Sequence, residues 1–287
     1  MIYYRSPKFR PSFGRLHELR ALAPPGTPMV ALTATVTPEI RADVITRLDM
    51  KGCECVSVSP NRPNIFYAVS PRTEIETDLL SLVEDLKHNS VKANRVIVYC
   101  RSLNMCSDLY GFFRYSLGKK GYYPPDSDEI CKNRLFGMFH SSTSDTNKQI
   151  ILDSLSRPDG TVRIVFATTA LGMGVNFVGL RTTIHYGAPR PLDDYFQESG
   201  RAGRAGEPST STIYWKPIDA PLVKNIKSSR DAEIGIVRRY IENSQECRRY
   251  QLLKYFDPAV ANSLPRRDPS TCCDCCKFNC ESSNNTE

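Results

Sequence analysis

Val162 to Ala167 is a short, β-branched and almost wholly apolar run, without the alternation of a strand that shows one face to water, and Arg95 to Arg101 is strand-like as well. The apolar run suits a strand covered on both sides in a parallel sheet, and that sheet requires helices between its strands. The neighbouring patterns supply them. Asn104 to Phe113 is amphipathic, Leu135 to His140 reads as another strand, and Asp145 to Leu155 places Ile150, Ile151 and Leu155 on one helical face with Asp145 as its cap. A further strand is expected at Thr182 to His185, and Pro189 to Pro191 break the chain before a helix starting near Leu192 or Asp193. Strand and helix alternating at this spacing predict an α/β fold, a right-handed parallel sheet flanked by helices.

Two stretches stand outside the pattern. Between Leu117 and Arg134 the segment GKKGYYPPDSDEICKNR has the glycines, paired prolines and charges of an inserted loop. The first sixty residues resemble the end of a different unit. There Ala31 to Thr37 reads as a strand with hydroxyls at its exit, Pro38 to Leu48 as a helix opened by proline, and Cys53 to Val58 as a second strand, with Ser59 to Pro63 leading out of it.

The chemistry concentrates further on. In Thr168-Thr169 and Gly172-Met173-Gly174 a polar, glycine-punctuated turn follows the buried strand, at the end where α/β sheets bind ligands. Residues 197–206 read QESGRAGRAG, in which Arg201 and Arg204 stand between glycines. Guanidinium forks match phosphate oxygens and stay charged, while glycines let backbone and phosphate approach closely. The arrangement points to an arginine finger on a polyphosphate; a solvated turn or a nonspecific nucleic-acid contact is the plainer alternative. The helix before it is expected to turn Gln197 and Glu198 towards the arginine pair.

The 287 residues are 40% hydrophobic with a formal net charge of +7, enough for a sizeable core and compatible with a polyanionic partner. The N-terminal MIYYRSPKFR lacks a signal-peptide core, and no apolar stretch approaches membrane-spanning length, so the chain reads as intracellular with no membrane partner. Its eleven cysteines then read as thiols and metal ligands rather than disulfides. Cys53, Cys55, Cys100, Cys106 and Cys131 fall inside other patterns. Cys272, Cys273, Cys275, Cys276 and Cys280 cluster at the end, where Cys272-x-x-Cys275 has the spacing that lets two thiolates share one tetrahedral ion, and Cys273 with Cys276 repeats it.

The ordered series FRPSFGRLHELR, ALTATVT, RPNIFYAV, VIVYCRS, FHSSTSDTNKQ, FATTALGMGVNF, QESGRAGRAG and CRRYQLLKYFD resembles the C-terminal half of RecQ-family DNA helicases over nearly the whole chain. The resemblance implies RecA-like domains with ATP between them, a zinc-binding module behind, 3'-to-5' movement along single-stranded DNA driven by hydrolysis, and a nuclear location. On these positions it implies that Thr33 and Thr35 couple nucleotide to DNA, and that Gly172, Gly174 and Asn176 with Gln197 border the nucleotide. Arg201 and Arg204 would face the γ-phosphate, with Arg204 favoured as the finger. His140 and Ser141, with Arg101, Thr168 and Thr169, would touch the DNA backbone, whose partners are single-stranded or partly duplex. Cys247, opening CRRYQLLKYFD, joins Cys272 and Cys275 as a zinc ligand; Cys273, Cys276 or Cys280 supplies the fourth, Cys276 being taken for the set.

By the same resemblance, residues 1–58 are the end of a first RecA-like domain, 59–74 a linker, 75–220 a complete second one, and 221–287 a small helical zinc-binding subdomain with a polar tail. The sequence contains neither G-x-x-x-x-G-K-[S/T] nor Asp-Glu-x-His, so the parts that hold ATP and Mg²⁺ are missing from it. The chain alone is therefore expected not to hydrolyse ATP. A non-catalytic module that binds nucleic acid or a partner is the competing reading, and an RNA helicase of the same superfamily a weaker one.

Overall fold

The computed structural model describes residues 15–24, 26–33, 37–50, 52–168, 171, 177–223, 227–265 and 267–284. The chain divides into two compact units, Met1–Asn61 with Tyr250–Arg266, and Arg62–Arg249 with Arg267–Glu287.

The larger unit is built on a six-stranded sheet in the order β1-β6-β5-β2-β4-β3. Its strands are β1 (Ile65–Pro71), β2 (Arg95–Cys100), β3 (Phe136–Phe139), β4 (Ile164–Ala167), β5 (Leu180–Tyr186) and β6 (Ser209–Trp215), and every neighbouring pair is parallel. All strands therefore leave the sheet along one edge. The central β2 is buried at every position, and its side chains divide by the two-residue period of a strand. Val96, Val98 and Cys100 pack with Leu109, Phe113, Phe136 and Phe166 on one face; Ile97 and Tyr99 pack with Ile151, Leu155 and Val165 on the other. The continuous apolar runs of the sequence arise from this two-sided burial.

The helices fall close to expectation. Leu103–Leu117 is capped by Ser102, whose hydroxyl accepts from the Met105 N–H at 3.2 Å. Asp145–Ser156 is capped by Ser144 rather than Asp145, because the Ser144 hydroxyl lies 3.3 Å from the Asn147 N–H. Leu192–Ser199 follows a cis Arg190–Pro191 bond. Ser229–Glu242 lies beside it through the Tyr195 and Tyr240 rings, with centroids 5.7 Å apart. The inserted segment carries two short 3₁₀ turns, Gly118–Gly121 and Cys131–Asn133, held where Arg134 lies over the rings of Tyr110 and Tyr122.

Two expectations change. The stretch 59–74, read as a linker, carries β1, paired along its length with β6. In the smaller unit, Pro38–Arg47 is helical and capped by Thr37, but the strands expected at 31–37 and 53–58 are absent among the described residues. A strand needs a neighbour to take its backbone hydrogen bonds. None is present among the described residues, and Val30, Leu32, Val56 and Val58 are exposed.

Candidate functional site

The arginine loop begins where the helix Leu192–Ser199 ends. The Gly200 N–H donates to Phe196, Arg201 to Glu198 and Ala202 to Ser199, and the chain then turns through Gly203 at φ +58° and Gly206 at φ +96°. The Gly203 N–H reaches the carbonyl of Leu180, first residue of β5, at 2.8 Å. The loop thus lies beside strand entries, opposite the edge where the strands exit.

Two residues before β1 lock it. Arg62 donates to the carbonyls of Gly200 (2.8 Å), Ala202 (3.1 Å) and Gly203 (2.8 Å), and Asn64 donates to Gly203 and Glu207, both at 2.8 Å. A Cβ on Gly203 would drive into Ser209 Oγ, Asn64 Nδ2 and the Glu207 carbonyl. Gly203→Ala combines that clash with a left-handed backbone and should cost about 2–4 kcal/mol of stability. An unchanged denaturation midpoint would show that the loop is looser than drawn.

Within this frame the two arginines differ. Arg201 is 7% exposed and lies over the Phe177 ring at 5.8 Å, whereas Arg204 is exposed. Burial, Arg201 and Arg62 hold the Arg204 pKa below its ordinary value, as expected where cations crowd. Gln197 is half-buried. Glu198 does not turn to the arginine pair; its Oε2 lies 2.8 Å from His185 Nε2, within hydrogen-bond distance. His185 stacks on Tyr99 with centroids 4.9 Å apart. Tyr99 is core, as expected, and burial with the Glu198 carboxylate pushes its pKa up.

The residues expected to touch DNA lie along the opposite edge. Arg101 follows β2, His140 and Ser141 follow β3, and Thr168 follows β4. Ser141 is exposed, but His140 is buried and its Nδ1 accepts from the Ser142 N–H at 3.2 Å, holding the turn. Arg101 is partly buried against Asp219. Thr33 is exposed in the smaller unit, while Thr35, Thr169, Gly172, Gly174 and Asn176 lie outside the described residues.

At the end of the chain, the sulfurs of Cys247, Cys272, Cys273 and Cys276 all lie within 4.8 Å of one another. Cys247 Sγ is 3.6 Å from Cys272 Sγ and 3.8 Å from Cys273 Sγ. A disulfide would bring sulfurs to about 2 Å. Four thiolates around one zinc, each at about 2.3 Å, stand about 3.8 Å apart. The donor set fits zinc, which would cross-link the segment. It holds Cys273 where Cys275 was expected. The helix Pro269–Cys272 ends at Cys272, Cys273 is extended at φ −166°, and the next helix, Asp274–Asn284, starts at once. That break lets two successive cysteines reach inward, and along the following helix only Cys276 joins them.

The group is tied to the sheet. Cys273 bridges Tyr67 of edge strand β1, and Asp274 Oδ2 accepts from the Val69 N–H at 2.9 Å, covering an edge that would otherwise stay open. Arg248 donates to Asp274 (3.1 Å) and to the carbonyls of Tyr240 (2.6 Å), Ile241 and Asn243 (both 3.0 Å) that end Ser229–Glu242. Arg249, 2% exposed, lies over Tyr67 and donates to the carbonyls of Arg62 (2.6 Å) and Ile65. Sequence reasoning missed Arg62, Asn64 and Arg249, although RPN and CRR stood inside the quoted motifs.

The geometry defines a parallel α/β domain with a cysteine module. The model described as helicase conserved C-terminal domain matches residues 77–206, and that described as RecQ zinc-binding matches 224–277. The chain is 29% identical over 276 residues to the ATP-dependent DNA helicase hus2/rqh1 of Schizosaccharomyces pombe, covering 93% of this chain and 19% of that protein. It is 30% identical over 282 residues to the ATP-dependent helicase wrn-1 of Caenorhabditis elegans, covering 93% of this chain and 24% of that one. The fold is shared with the Mycobacterium smegmatis helicase Lhr, solved with ssDNA and AMP-PNP, at a TM-score of 0.54 and 19% identity over 88% of this chain and 34% of that one. The chain thus corresponds to the C-terminal part of a RecQ-type helicase region, to which it is similar over nearly its whole length. It spans about a fifth to a quarter of the length of these two relatives. No helix among the described residues is long and apolar enough to cross a membrane.

Proposed function

We propose that this chain is the arginine-supplying, strand-tracking half of a RecQ-type ATP-dependent 3'-to-5' DNA helicase. It completes an ATP·Mg²⁺ site whose phosphate-holding parts lie on another RecA-like domain, and alone it does not hydrolyse ATP. The observation that carries this reading is the exposed Arg204 on a loop pinned by Arg62 and Asn64, in a sequence without a phosphate-cradling motif. Phosphoryl transfer needs charge on the leaving phosphates more than covalent help, and one positioned arginine supplies it. Zinc on the four-cysteine group braces the edge strand. None of the eleven cysteines is paired in a disulfide, as an intracellular setting requires, and the proposed setting is nuclear.

The test has two arms. The chain alone should release no phosphate from ATP with or without DNA, and should do so once a nucleotide-binding RecA-like domain is joined before it. The chain alone should also bind single-stranded DNA, with affinity falling steeply between low and physiological salt. DNA-stimulated hydrolysis by the isolated chain would sink the half-site reading, and salt-independent binding the strand-tracking one. Strand binding without hydrolysis even in the joined protein would favour a non-catalytic module.

A further inference from the structure

Three arginines gather past the exits of the strands on the β1 side of the sheet. Arg72 follows β1, Arg101 follows β2, and Arg190 follows β5. Asp219, in the turn after β6, is 7% exposed, and its Oδ1 takes Arg72 Nη2 at 2.9 Å and Arg101 Nη1 at 3.2 Å, while the Asp78 carboxylate is taken by the Tyr186 hydroxyl at 3.0 Å. Asp219 Oδ2 is committed to the Lys216 N–H at 2.8 Å. Arg190 is exposed and makes no hydrogen bond or ion pair with any described residue.

The packing holds these cations close rather than letting them separate. Arg101 crosses in front of Gly187, at φ +106°, where any Cβ would run into its Cδ. Arg72 is anchored by its backbone N–H on Trp215 (2.8 Å) and lies over the Tyr186 ring at 5.3 Å. Burial and Arg190 pull the Arg101 pKa below its ordinary value, and Asp219 pulls it back. Two arginines that share the Asp219 carboxylate, with the Arg190 charge acting on Arg101, leave the group short of negative charge.

We infer that Arg72, Arg101 and Arg190 form a subsite for one backbone phosphate of a nucleic-acid strand, and that Asp219 is its built-in competitor, occupying with its carboxylate the guanidinium donors that the phosphate would take. The inference rests on the strand-binding reading above and extends it. The strands are parallel and about 4.8 Å apart, so the exits form a row. Ser141 and Thr168 lie at one end of it, after β3 and β4; the arginine group lies at the other, after β2, β5, β6 and β1. A strand laid across this row meets the arginines last. Arg190 gives the unpaired charge that captures the phosphate, and Arg72 and Arg101 give forks that turn to it from Asp219.

The test uses the full chain and a fluorescent oligothymidylate, titrated across a salt series. Each phosphate contact on a single strand contributes about 0.7 to the slope of log affinity against log salt, which makes its loss worth about eightfold at ~50 mM salt. Arg190→Ala is expected to lower affinity by that factor and the slope by that amount, with Arg190→Lys in between. Asp219→Asn, checked for folding by circular dichroism, is expected to tighten binding several-fold. Inorganic phosphate should compete only weakly, since a free ion lacks the rest of the strand; competition at its own low concentration would assign the site to free phosphate and overturn the inference. If the wild-type chain binds the strand and Arg190→Ala matches it in affinity and slope, the subsite falls while the strand-binding reading stands. If the wild-type chain binds no strand, both fall.

Discussion

Purified chain should carry one zinc, and replacing Cys273 or Cys276 by serine should reduce it below about half an equivalent, whereas Cys275→Ser and Cys280→Ser should leave it near one. The expectation rests on the sulfur geometry: the separations of 3.6 and 3.8 Å about Cys247 match the edges of a zinc-thiolate tetrahedron, and Cys280 is exposed on the outer helix. Structural zinc contributes about 10–16 kcal/mol in small modules. Its removal by a chelator should therefore melt residues 267–284 rather than loosen them. The consequence reaches the sheet, because Cys273 and Asp274 cover the β1 edge. Hydrogen exchange should report this as lost protection at Val69, whose N–H is held by Asp274. Loading should weaken as pH falls, since the ion must displace thiol protons, and burial with Cys273 already pushes Cys276 up to about 12. Zinc lost from Cys275→Ser and kept in Cys273→Ser would reverse the ligand assignment.

How far the sequence could be read depended on the range of the interactions involved. The strands β2, β4 and β5 were legible within a residue or two and their helices at their starts, the helix after β2 running four residues past its expected end at Phe113, because buried strands write apolar runs and an amphipathic helix writes its own period. β1 was not. IFYAVSP lies directly after Arg62-Pro63-Asn64, and only pairing with β6, about 140 residues on, distinguishes it from an extended linker. The opposite error occurred at Ala31 to Thr37 and Cys53 to Val58, where β-branched residues suggest strands that have no neighbour to pair with among the described residues. In the metal group, C-x-x-C spacing favoured Cys275, and the deciding fact is the break between two helices at Cys273. Glu198 was placed on the polar side of its helix by periodicity, yet His185, from β5, draws it inward. Asp219 carried no motif at all; its importance comes from the two arginines that β1 and β2 deliver to it.

Joined to a nucleotide-binding domain, the protein should lose about a thousandfold or more in kcat for ATP hydrolysis on Arg204→Ala, with its denaturation midpoint hardly moved. Arg201→Ala should instead lower stability as well as rate. The two residues sit three apart in one motif with the same charge, so sequence cannot rank them by chemistry. Burial can. A guanidinium that is 7% exposed and seated on Phe177 fills space in the loop's foundation; truncating it leaves a cavity and costs about 2–4 kcal/mol. An exposed guanidinium on a braced loop faces solvent, where an incoming phosphate can meet it and where a positioned arginine is worth about 10³–10⁵ in rate. The bracing matters as much as the exposure. Arg62 ties down three loop carbonyls, and Arg249 holds the Arg62 backbone in turn, so Arg204 would meet the phosphate without first ordering its own loop, and that saved entropy is available to the transition state. Arg62→Ala tests this link separately: rate should fall with Arg204 intact, because the arginine is present but its loop is no longer held. If Arg201→Ala and Arg204→Ala lose rate equally and neither loses stability, the division of roles drawn from burial is wrong.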